Sequence, residues 1–166
     1  MTMPTIQYFL ACATPSIGLD GRTLSVLMVV ESIVAVPHNV GPETLEHLRQ
    51  CPYVLPSMGT VAQWWNPDDG EDKRVYEQRV LIVAPDEKET QVVPPVEFRF
   101  GGFHHHVVYQ TPPVGLRILG KYRWRLQYRE QNAADWIVAG EYWFLVHKAE
   151  DWMGDNKSLA QTATPA

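Results

Sequence analysis

Hydrophobic and polar residues alternate with a period of two at the start of the chain. Ile6, Tyr8, Leu10 and Cys12 interleave with Thr5, Gln7 and Ala11, and Leu24, Val26, Met28 and Val30 repeat the pattern. Period two is the mark of a half-buried strand, because successive side chains point to opposite faces. Asp20-Gly21 between the two runs is a hairpin signal, so the chain is expected to open with a hairpin. Further strands are expected at 60–65, 75–84, 96–100, 103–110, 122–129 and 136–147. Turn chemistry separates most of them: Asn66-Pro67-Asp68-Asp69-Gly70, Pro85-Asp86-Glu87, Gly101-Gly102 and residues 131–135. About eight strands at this spacing predict an all-β protein, a single-domain antiparallel β-sandwich of the immunoglobulin or fibronectin type. One short helix is expected, a lid over one end. Pro42 occupies its first position, Leu45 and Leu48 lie at helical spacing, and Arg49 lies near its end. Residues 1–150 read as the sandwich domain and 151–166 as a polar tail.

Composition narrows the classes. At 166 residues and 45% apolar content, the chain is long enough and apolar enough for one packed core. The net charge of −5 argues against a protein held mainly by phosphate backbones. No apolar run approaches the roughly 18 residues of a membrane span. Two cysteines exclude a disulfide scaffold and any four-cysteine metal site. The first cation is Arg22 and no cationic lead precedes the run 8–13, so the expectation is a cytoplasmic protein with reduced thiols. Cys12, in an apolar run, reads as a small core residue.

Candidate chemistry centres on Phe103-His104-His105-His106-Val107. On a strand His104 and His106 share a face, a geometry that presents two imidazoles to one divalent metal, with His147 or Glu141 as a third ligand. The cupin pattern uses such a pair but calls for a glutamate a few residues later. Val107, Val108, Tyr109 and Gln110 stand there instead. Gly115-Leu116-Arg117-Ile118-Leu119-Gly120-Lys121 has phosphate-loop spacing, yet Tyr122 replaces the magnesium-binding hydroxyl and a strand, not a helix, follows. The acidic turn Asp68, Asp69, Glu71 and Asp72 lacks the spacing of an EF-hand loop and reads as a solvated hairpin. No nucleophile motif, HExxH or dinucleotide loop is present, and no catalytic residue is nominated.

The strand at 122–129 separates its chemistry by face. Arg117, Lys121, Arg123, Arg125 and Arg129 share odd positions, while Tyr122, Trp124, Leu126 and Tyr128 share even ones. One face is apolar and the other a basic stripe, which reads as a solvated face or a docking face for an acidic partner. Single-strand nucleic-acid binders interleave these residue types on one face, which argues against that class here. Trp64-Trp65 adds a second signal, since adjacent strand residues cannot both face the core. The exposed one is an anchor for a protein partner or a stacking platform for a sugar.

Two stretches carry a family resemblance. One runs from Leu10-Ala11-Cys12-Ala13 through Leu19-Asp20-Gly21-Arg22 to Val29-Val30-Glu31-Ser32-Ile33. The other pairs Gly120-Lys121-Tyr122-Arg123-Trp124-Arg125-Leu126 with Glu141-Tyr142-Trp143-Phe144-Leu145-Val146. Together they resemble small, uncharacterised bacterial all-β proteins, which implies an antiparallel sandwich and no catalytic residues. The expectation is a non-catalytic protein-interaction module, a subunit or accessory protein of an assembly, with a protein partner or a second copy and no cofactor. Its contact face is expected at Arg117, Lys121, Arg123, Arg125, Arg129, Trp64 and Trp65. The alternatives are a metal-binding protein or metal-dependent enzyme at His104, His106 and His147, and a carbohydrate-binding module.

Overall fold

The alternating stretches fold as strands in a computed structural model that describes residues 3–17, 24–29, 32–35, 51–66 and 73–148. Eleven strands lie among them: β1 (Thr5–Ile17), β2 (Leu24–Val29), β3 (Ser32–Ala35), β4 (Tyr53–Leu55), β5 (Gly59–Trp65), β6 (Tyr76–Val83), β7 (Glu89–Phe98), β8 (His104–Gln110), β9 (Val114–Leu116), β10 (Gly120–Glu130) and β11 (Ile137–Lys148). The described chain is all-β. The helix expected near 42–49, the Asp20-Gly21 and Asp68–Asp72 turns and the tail at 151–166 lie outside the described residues.

The opening hairpin is present, with β1 and β2 antiparallel and Ile17 opposite Leu24. β1 also pairs with β5, and β5 with β8, giving a four-stranded sheet ordered β2-β1-β5-β8. The second sheet is ordered β3-β11-β10-β6-β7, and β4 pairs with β9 separately. Among the described residues every pairing but one is antiparallel. β3 runs parallel to β11, with Ile33 opposite Val146, so the fully antiparallel expectation needs correction. The chain moves from the edge of one sheet at Val29 to the edge of the other at Ser32, and the new neighbour is a strand more than a hundred residues away. Local alternation carries no trace of that pairing.

A second difference concerns β7, expected over 96–100 and found to take in Pro94-Pro95 as well. It begins at Glu89. Proline removes a ladder donor and is tolerated on an edge or at a bulge, and β7 meets both conditions. It is the last strand of its sheet, and its register jumps from Val93 opposite Val80 to Val96 opposite Gln78. The two prolines sit in the jump.

The inner faces of the two sheets share one core. Phe9, Ala62, Trp64 and Val107 of the first sheet join Tyr76, Ile82, Phe98, Tyr122, Trp124, Leu126 and Phe144 of the second. Trp64 is the centre of this contact. Its ring stacks on Phe98 at 5.4 Å and leans on Tyr128 at 4.9 Å. Its indole N–H donates to Gln78 Oε1 at 2.7 Å, so the buried polar atom of each residue is satisfied by the other. The β6–β7 turn is braced by Gly120, which holds φ 131°. A Cβ there would come within 3.1 Å of Pro85 Cγ, so both conformation and space call for glycine.

Candidate interaction surface

Pleating puts Lys121, Arg123, Arg125 and Arg129 on the outer face of β10, above an inner row of Tyr122, Trp124, Leu126 and Tyr128. The separation expected from the sequence is therefore real. What the register adds is a carboxylate for three of these cations. β10 is a central strand, flanked by β11 and β6, and those neighbours, the β6–β7 turn and the start of β7 bring acids alongside. Arg123 pairs with Glu87 and lies 3.2 Å from Glu141 Oε1. Arg125 pairs with Glu89, and its Nε donates to Glu141 Oε1 at 2.7 Å. Arg129 Nε donates to Glu77 Oε2 at 2.6 Å.

Aromatic rings complete the network. Lys121 Nζ sits 4.3 Å from the centre of the Trp143 ring, and the Arg123 guanidinium 5.0 Å from it. Trp136 is flanked by Arg79 at 4.2 Å and Arg129 at 4.4 Å, and Arg79 Nε donates to Gln127 Oε1 at 2.8 Å. Arg123 and Arg125 are only 14% and 18% exposed in their side chains, their stems lying along the sheet as long cationic side chains do. Leu81 and Val83, on the outward side of β6 opposite Arg125 and Arg123, are buried although they stand outside the shared core. The stripe is thus a self-neutralised layer, not a field of open positive charge. Arg117 differs. It is exposed, stands beyond the end of β9, and has no hydrogen bond or ion pair among the described residues.

The adjacent tryptophans part as expected, one in and one out. Trp64 is completely buried and Trp65 is 42% exposed. Trp64 therefore drops out of any contact face, because its ring and its N–H are both used inside the core. Trp65 lies on the outer face of the four-stranded sheet, edge-on to His104 at 5.4 Å.

His104 and His106 share that outer face, opposite Trp65 and Gln63. His105 points the other way and stacks on Phe98 at 5.3 Å. Burial there, followed by the neighbouring His106, holds its imidazole below the usual value. His147 belongs to the other sheet, opposite Val34, with Nδ1 3.0 Å from the Lys148 carbonyl. The structure does not bring it to the His104–His106 pair. Among the described residues no group of three His, Cys, Asp or Glu side chains is placed to hold a metal ion. Cys12 is buried, which pushes its thiol up.

The residues that sequence reasoning missed are on β11. Ile137, Val138, Trp143 and Leu145 are between 43% and 50% exposed, and they are four of the eight exposed large hydrophobic residues among those described. β3 pairs with β11 only from Leu145 to Lys148. From Ile137 to Phe144 the far edge of β11 has no strand partner among the described residues.

The fold and this surface define the class no further than an all-β protein of two main sheets about one core. No protein-family model matches the chain, and no curated protein matches it. No helix among the described residues is long and apolar enough to cross a membrane.

Proposed function

We propose that the protein is a non-catalytic protein-interaction module, a subunit or accessory protein of a larger assembly, that docks through β11. The observation that carries this reading is the concentration of exposed apolar side chains on that one strand. Exposed apolar groups scattered singly are ordinary, whereas four on one strand, three of them along the stretch with no strand partner among the described residues, have the composition of a contact site. Trp143 between Lys121 and Arg123 supplies the aromatic and cationic groups that dominate interface energetics. The partner is another protein or a second copy of this chain, and the neutralised arginine layer makes the contact apolar rather than salt-driven.

The strand neighbours favour an immunoglobulin-like version of the sandwich. β5 beside β8 corresponds to the B–E pairing of that fold, and β6, β10 and β11 to its C–F–G sheet. Domains of this architecture serve widely as recognition modules, an analogy of fold that supports the reading.

Light scattering on the protein isolated from its source cells tests the proposal. The wild type is expected in a species heavier than 18.9 kDa, and a Trp143→Ser/Leu145→Ser variant at the monomer mass. The same mass for both proteins would overturn it.

A further inference from the structure

The segment whose glycines imitate a phosphate loop has another use in three dimensions. With β9 and the start of β7 it walls two adjoining clefts beside the β6–β7 turn, of about 310 and 300 Å³. Thr90, Val114, Gly115 and Arg117 border both. The larger is apolar along Ile82, Leu116 and Ile118 and lies at the small end of the range for ligand sites.

The charges around it are not equivalent. Lys88 Nζ sits 2.7 Å from Asp86 Oδ2, and Glu89 is paired with Arg125. The Tyr122 hydroxyl already donates to the Ile118 carbonyl at 2.7 Å. Arg117 alone among the charged residues lining the clefts has no partner among the described residues. A ligand that enters meets a mixed lining, apolar at Ile118 and the edges of Ile82 and Leu116, and one uncommitted guanidinium.

We infer that this pair of clefts binds a small amphipathic monocarboxylate, with its aliphatic body against Ile82, Leu116 and Ile118 and its head group on Arg117. The planar guanidinium suits a carboxylate held by two parallel hydrogen bonds. A doubly charged phosphate ester is disfavoured on two counts. With Lys88 engaged by Asp86 and Arg125 by Glu89, Arg117 is left to balance one negative charge and not two. No helix N-terminus supplies amide donors, because β10 begins at Gly120. The site is distinct from the β11 face, and its fate does not depend on that proposal.

The test is a titration of the full chain with sodium octanoate, followed by amide chemical shifts. Saturable shifts at Gly115 and Thr90 are expected at millimolar concentrations. Arg117→Gln removes the charge from an exposed side chain with little cost to folding, which a thermal melt checks. It should weaken octanoate binding by about tenfold or more, the value of a charge-assisted hydrogen bond. Octan-1-ol, with the same body and no charge, should bind as poorly to the wild type. Equal binding of octanol and octanoate, undiminished binding by Arg117→Gln, or shifts elsewhere would each overturn the inference. Tighter binding of hexyl phosphate would overturn the choice of a carboxylate.

Discussion

The outer faces of the two main sheets are built on opposite principles. On the five-stranded sheet, Arg123, Arg125 and Arg129 of one strand meet Glu87, Glu89, Glu141 and Glu77 from its surroundings, and Trp136 and Trp143 are roofed by cations. On the four-stranded sheet, Trp65, His104 and His106 form a row of rings with no ion pair among the described residues. The face with the larger formal charge is thus the one whose charges are already used. A row of arginines in a sequence says little about docking until the register shows what stands beside them.

The largest effect should come from what the two faces have in common. Trp64→Ala opens a cavity between both sheets and strands Gln78, and should cost about 3–5 kcal/mol in urea unfolding. Both sheets should unfold in one transition, because the core is shared. Separate transitions would break the picture of one core beneath two faces.

Between the faces themselves the contrast is smaller and more telling. Glu141 serves two guanidiniums that are mostly covered, so Glu141→Gln should cost about 1 kcal/mol, after allowance for solvent screening. Trp65→Ala on the other face should cost no more than about 0.5 kcal/mol. Equal losses in chemical denaturation would erase the distinction drawn here.

The smallest expected effect is a pH dependence from the four-stranded sheet. His105 is held below the usual value of about 6.5 by burial against Phe98 and by His106. The unfolded chain then binds a proton that the folded chain resists. Its contribution to stability is fully present above pH of about 6.5 and is lost as pH falls toward the lower folded value. His105→Phe should flatten this part of the profile. A wild type whose stability, measured between pH 7 and 5 on the scale of that titration, matches the variant's would contradict it.

Much of this was legible in the chain. The alternation of Tyr122, Trp124, Leu126 and Tyr128 with charged residues placed the core and the outer face of β10 correctly, as did the opening hairpin. The carboxylates were hidden because Glu87 and Glu89 are 36 residues from the arginines they meet, and nothing local records strand register. The rule that neighbouring strand residues diverge placed one of Trp64 and Trp65 outside, without saying which. β11 was recognised as a strand, yet its exposed residues were not. Tyr142, Phe144 and Val146 face inward while Trp143 and Leu145 face out, and all five are apolar, so the pattern that marks a buried face is absent.

The most direct test is photo-crosslinking of the protein in its source cells from three positions, one variant at a time. A photoreactive residue replaces Leu145 on the β11 face, Trp65 on the opposite outer face, or Arg117 beside the clefts. The account predicts a discrete crosslinked protein, a partner or a second copy, from position 145 and none from position 65. Crosslinks of equal yield from 145 and 65, or from 65 alone, would contradict the assignment of β11 as the docking strand.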